Sequence, residues 1–221
     1  MQVADALRAR KSTRAFLSKE VGKDKVERII GSARHAPSGT NTQPWQVAVV
    51  TGEKKATICS RMEQEFREGI KGKMNFQYYP TVWQEPYNSR RRSCGLQMYK
   101  TLEIGREDKQ RQLDQWAANF RAFDAPVMLF FFIDPILETG SFFDYGMFVQ
   151  SIMLAAVEEG LATCPQAALG EYPDIVKKEL NYPDETQLIC GMALGYEDTD
   201  ALINSYRTPR EEVESFCRFF D

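Results

Sequence analysis

The longest unbroken apolar run in the chain, Ala125 to Ile133, shows no alternation of polar and apolar positions. That pattern is expected of a central strand covered on both faces, and it predicts a strand over 127–133. Residues 45–51, ended by Gly52, read as another buried strand, and 187–194 as a third. Elsewhere apolar residues recur at i, i+3, i+4 and i+7. Val26, Ile29, Ile30 and Ala33 predict a helix over 23–34 that Pro37 stops. Ile58, Met62 and Phe66 predict one that runs from Gly52 to about Phe66. A short helix over 2–9 would turn Val3, Ala6 and Leu7 inward. Leu96 and Tyr99 mark a helix beginning near Arg90, and Leu113, Trp116 and Phe120 a stripe over 107–121. Residues 141–159 read as a long, largely apolar helix that needs cover on more than one side. A place in the core supplies such cover, and so does a subunit interface.

Residues 69–92 lose periodicity and are rich in aromatics, among them Phe76, Tyr78, Tyr79, Trp83 and Tyr87. A long irregular stretch inside a compact domain is commonly functional. The pattern as a whole gives an α+β class, a mixed central sheet of few strands wrapped by helices. The length of 221 residues suits one domain over 1–221, with an excursion at about 66–124. The apolar tail, with Val213, Phe216, Phe219 and Phe220, is expected to dock on something.

Charge and cysteines narrow the function classes. A net charge of −3 argues against a nucleic-acid partner held by bulk charge. The run at 125–133 is too short to span a bilayer, and the N-terminus has no apolar signal core, so no membrane partner is expected. Five scattered cysteines with no Cys-x-x-Cys spacing fit reduced thiols, and with them a cytoplasmic location. His35 is the sole histidine, which disfavours both a metal site and a Ser/His/Asp or Cys/His catalytic set.

Two stretches carry the candidate chemistry. No acid lies between Asp5 and Glu20, where Arg8, Arg10, Lys11 and Arg14 cluster around Ser12 and Thr13. Guanidinium forks, hydroxyls and backbone N–H groups near a helix terminus suit a phosphate monoester; a solvated basic turn has the same composition. The second stretch, Pro37-Ser38-Gly39-Thr40-Asn41-Thr42-Gln43-Pro44, is dense in donors and acceptors and leads into the strand at 45–51. It can present hydrogen bonds to a flat polar ring, or serve as an ordinary helix–strand turn.

Taken together, Arg-Lys-Ser-Thr-Arg-Ala-Phe at 10–16 and Ala-Pro-Ser-Gly-Thr-Asn-Thr-Gln-Pro-Trp at 36–45 resemble the flavin-dependent nitroreductase family. The segments at 160–167, 195–198 and 204–211 agree with it in order and spacing, and only about 66–120 matches loosely. The resemblance implies a nitroreductase-like fold and one FMN per site, held in an intertwined homodimer. It implies that Arg10, Ser12, Arg14 and the main chain of Lys11 hold the FMN phosphate, with Arg207 as a second phosphate position and Arg210 a weaker one. Pro37, Ser38, Gly39 and Asn41 would lie along the ring or ribityl chain, with Gln43 possible. Pro165, Gln166 and Ala167 would approach flavin N5 and O4, where only Gln166 and Ala167 have N–H groups to give. Thr40 and Phe123 are the expected contacts on the substrate side.

The same resemblance implies an enzyme that moves hydride from NADH or NADPH, through the flavin, to a nitroaromatic, quinone or similar flat acceptor. No separate catalytic side chain is required, because the flavin carries the chemistry. The absence of a Gly-x-Gly-x-x-Gly element after a strand makes the nicotinamide a visiting substrate. A reductive dehalogenase, a flavin-consuming member of the same superfamily, and a flavin-binding module without turnover are the alternatives.

Overall fold

The computed structural model describes residues 1–220. Four strands form one sheet in the order β1-β2-β4-β3: β1 (Gln46–Val50), β2 (Val127–Ile133), β3 (Ala162–Gln166) and β4 (Gln187–Gly195). The α+β class holds, but every strand pair in the sheet is antiparallel rather than mixed. The parallel element is the single bridge between Ser12 and Thr163, which adds the arginine-bearing stretch to the outer edge of β3.

β2 explains the continuous apolar run. Its residues are all buried, because successive side chains enter two different cores. Leu129, Phe131 and Ile133 face α2 (Lys23–Ala33) and α6 (Thr139–Glu158), packing with Ile29, Phe148 and Ile152. Met128, Phe130 and Phe132 face α3 (Gly52–Arg67), the turn Ala118–Asp124 and α7 (Pro173–Leu180), packing with Ile58, Met62 and Phe120. The expected buried strand at 45–51 is instead a half-exposed edge strand, since nothing pairs with its outer side among the described residues. In α1 (Val3–Ala9) only Ala6 is buried, and Val3 and Leu7 stay exposed.

The remaining helices are α4 (Tyr87–Thr101), which starts three residues before Arg90, and α5 (Lys109–Ala117). α4 docks on the C-terminal segment: Gln97 donates to the Arg207 carbonyl at 3.0 Å, and Arg90 pairs with Glu211 at 3.0 Å.

α6 is 20 residues long, and by length and composition alone it could cross a membrane. The small and polar residues in it (Gly140, Gly146, Ser151) break any continuous run, so a search for unbroken apolar stretches passes over it. Here it packs on α2, α1 and β3, yet Phe143 remains 73% exposed. The tail is open as well, with Phe219 at 86% and Phe220 at 89% exposed.

Candidate functional site

The arginine stretch leaves α1 at its C-terminus, not at a helix N-terminus. Arg10 caps α1 in an extended conformation. The helix dipole at that end disfavours an anion, so any attraction must come from side chains. Three of the stretch's N–H groups are also spent: Arg10 donates to the Ala6 carbonyl at 2.9 Å, Thr13 to the Thr163 carbonyl at 3.0 Å and Arg14 to Asn204 Oδ1 at 2.8 Å.

Those side chains converge. Arg10, Lys11, Ser12, Arg14, Arg207 and Arg210 line one cavity, closed by Cys94 of α4 and by Tyr206. Lys11 is already neutralised by Glu197 at 2.6 Å and also donates to the Asn204 carbonyl. The four arginines have no carboxylate partner among the described residues. Arg207 reaches back to donate to the Arg10 carbonyl at 2.6 Å, and Arg14 donates to the Ser12 carbonyl at 3.3 Å. Burial first, then the charges of Arg210 and Arg207, push the Arg10 pKa down. An anion between these guanidinium groups would relieve that repulsion.

Asn204 was not legible in the sequence as part of this arrangement. It is buried, and its side chain makes three bonds: from the Arg14 N–H, to the Ala15 carbonyl at 2.9 Å and to the Asp198 carbonyl at 2.8 Å. These bonds fasten the N-terminal arginine stretch to the C-terminal segment and so bring Arg207 over Arg10.

A second cavity, of about 360 Å³, shares Arg14 with the first. Pro165, Gln166, Ala167 and Phe123 all line it. Its aromatic wall is Tyr79, Tyr99, Trp116 and Phe120; Tyr78, Trp83 and Tyr87 lie outside it. Trp116 donates its indole N–H to Tyr99 Oη at 2.7 Å, which ties α5 to α4 at the cavity wall. Phe123 is mainly a core residue, and it sits among three consecutive non-glycine residues with positive φ: Ala122 (52°), Phe123 (52°) and Asp124 (61°). Such left-handed conformations cost energy and gather where the surroundings over-determine them. Gln166 is buried and gives its amide to the Asn119 carbonyl at 3.0 Å, leaving Oε1 without a partner.

Pro37, Ser38, Gly39, Thr40 and Asn41 do not join these cavities within one chain. Their loop feeds β1, at the opposite edge of the sheet from β3. Three strand spacings, roughly 14 Å, separate those edges. The loop is rigidly built all the same. Buried Asp144 accepts the Gly39 N–H at 3.0 Å, Ser38 Oγ accepts the Gln43 N–H at 2.9 Å, and Tyr145 Oη donates to the Gln46 carbonyl at 2.9 Å. Thr40, Asn41 and Gln43 hold positive φ values of 49°, 59° and 49°.

Known proteins resemble this chain over nearly its whole length. The model of the nitroreductase family matches residues 7–196. The chain is 36% identical to a chloronitrobenzene nitroreductase of Comamonas testosteroni over 98% of this chain and 96% of that protein. It is 35% identical to a 4-nitrobenzoate reductase of Pseudomonas putida, over 96% of this chain and 92% of that one. Among solved structures, the FMN and NADPH-dependent nitroreductase NfnB from sphigopyxis sp. strain HMH superposes with a TM-score of 0.95 at 36% identity, with 100% of both chains covered. The chain belongs to the nitroreductase family.

Proposed function

We propose that this protein is an FMN-dependent oxidoreductase that takes hydride from NADPH or NADH and reduces nitroaromatic or similar flat acceptors. The observation that carries the reading is the pair of cavities joined at Arg14: four guanidinium groups without carboxylates at one end, an aromatic-walled cavity at the other. The residues fit the cofactor. The repulsion felt by Arg10 asks for a dianion such as a phosphate monoester, and the orphaned Gln166 Oε1 asks for a donor such as a ring N–H.

Arg10, Arg14 and Arg207 would hold the phosphate, with Ser12 and the main chain of Lys11 beside them and Arg210 at the rim. The main chain of Gln166 and Ala167, after Pro165, would lie along one ring edge. When bound, the flavin supplies hydride acceptance and donation. The chain's own residues bind, orient and exclude water: Trp116 and Tyr99 wall the acceptor side, and Phe120 and Phe123 close its floor.

The protein acts as a homodimer in this reading. Pro37, Ser38, Gly39, Thr40 and Asn41 stand at the far sheet edge, so they reach a flavin only from a second copy. A second copy also covers Phe143 of α6 and the phenylalanines of the tail. Residues 66–124 then form an excursion of a single domain over the flavin site. Five free thiols suit a reducing compartment such as the cytoplasm.

The test is direct. Purified protein should be yellow, and heat should release FMN identifiable by chromatography. Anaerobic NADPH or NADH should bleach the flavin, and a nitroarene should restore its colour. A colourless protein that takes up no FMN, or a flavoprotein that neither nucleotide reduces, contradicts the proposal.

A further inference from the structure

Among the described residues Glu171 is the one acidic residue on the wall of the aromatic cavity, alongside Tyr79, Trp116, Phe120 and Gln166. Its carboxylate has neither an ion pair nor a hydrogen bond among the described residues, and it is only partly exposed. Its main chain is clamped. A Cβ on Gly72 would come within 2.1 Å of the Glu171 carbonyl oxygen, so the backbone of the 66–86 stretch lies directly on it. The next residue, Tyr172, donates its hydroxyl to the Ile70 carbonyl at 2.8 Å. An unpaired carboxylate half out of water is unfavourable for folding, and burial accordingly pushes its pKa up. Packing gives it no purpose that a glutamine would not serve.

Among the described residues the only cation on the same wall is Arg14, which also belongs to the first cavity. Under the function proposed above, on which this inference rests, the FMN phosphate takes up the charge of Arg14. Glu171 then stands as the uncompensated charge facing whatever enters over the ring. The chain is 36% identical to a reductase named for a neutral chloronitrobenzene and 35% identical to one named for the anionic 4-nitrobenzoate.

We infer that Glu171 sets the charge preference of the acceptor cavity, admitting neutral and cationic nitroarenes and repelling those that carry a carboxylate. Two like charges several ångströms apart near a protein surface repel by on the order of 1–2 kcal/mol at an effective dielectric of about 20, reduced by solvent, and about tenfold is the corresponding effect on relative KM. Removing the charge while keeping the shape should erase it.

The experiment compares nitrobenzene with 4-nitrobenzoate as acceptors, using the flavin-loaded dimer and the variants Glu171→Gln and Glu171→Asp. Wild type and Glu171→Asp should favour nitrobenzene in kcat/KM, while Glu171→Gln should narrow the ratio by about tenfold, through KM rather than kcat. A second measurement needs no variant and no turnover. Titration of the oxidised wild-type flavoprotein with benzamide and with benzoate, followed by flavin absorbance, should show benzamide binding at least several-fold more tightly. Equal binding of the two, or an unchanged ratio in Glu171→Gln, overturns the inference and leaves the proposed function standing. A protein that carries no flavin overturns both.

Discussion

Asn204 Oδ1 accepts the main-chain N–H of Arg14 at 2.8 Å, across 190 residues of sequence. That contact sets where the arginine cluster forms, because the same side chain also holds the carbonyls of Ala15 and Asp198. Replacing Asn204 by Ala leaves two part-buried backbone groups unmet, the Arg14 N–H and the Asp198 carbonyl, while the Ala15 carbonyl keeps the Asp198 N–H at 3.1 Å. Each unmet group costs about 1–3 kcal/mol, although relaxation and water recover part of it. The variant should melt several degrees lower, at about 2–4 °C per kcal/mol for a chain of this size. It should also lose FMN on gel filtration while wild type retains it. An unchanged melting curve with full flavin content would contradict the role given to Asn204.

Arg207 bears on the same site from the C-terminal side. Arg14→Ala and Arg207→Ala should each weaken FMN binding by about 1.5–3 kcal/mol, the scale of a hydrogen bond to a charged group. Fluorescence titration of the apoprotein measures this. Riboflavin, which lacks the phosphate, should bind wild type and both variants alike. If riboflavin loses as much as FMN does, the arginines serve the fold and not the phosphate.

Acid sensitivity should trace in part to Glu63. Burial alone would raise its pKa, but hydrogen bonds from Arg121 at 2.8 Å and Arg67 at 2.9 Å outweigh burial and hold it below the usual carboxylate range. A depressed folded-state pKa contributes stability that is present above the unfolded value, about 4.3, and is lost as pH falls through the folded value. Thermal melts taken from about pH 6 down to about pH 3 should therefore fall more steeply for wild type than for Glu63→Gln. Parallel curves would show that this cluster has no share in acid unfolding.

The Trp116–Tyr99 pair belongs to the acceptor side in this account. Trp116→Ala should raise KM for nitroarenes and leave flavin content intact. With donor and acceptor both varied, initial rates should give parallel double-reciprocal lines, because one cavity serves both in turn. Intersecting lines, together with a ternary complex trapped by a dead-end analogue, would require a second binding place.

Much of this was legible in the sequence where local chemistry decides it. The unbroken run of β2 and the amphipathic spacing of α2 both survive in the structure, and the arginine stretch gathers at one cavity. What escaped depends on distant partners. β3, Ala-Thr-Cys-Pro-Gln, has no alternation and contains a proline, and it becomes a strand by pairing with β4. α7 is short, and its Pro173 reads as a breaker although it occupies the helix start. Asn204 and Glu171 look like ordinary polar residues until folding places one under Arg14 and the other beside Trp116. The separation of Ser38 and Asn41 from Gln166 depends on strand order, which no local pattern encodes.

That separation leads to the central claim, that each flavin site is built from two copies of the chain. Light scattering coupled to absorbance at the flavin band tests it most directly, because it reads mass and cofactor content on the same eluting species. The expected particle has twice the 25.3 kDa chain mass and carries one FMN per chain, with loss of FMN whenever it is driven to monomer. A 25.3 kDa species at micromolar concentration that keeps a full complement of FMN would contradict it.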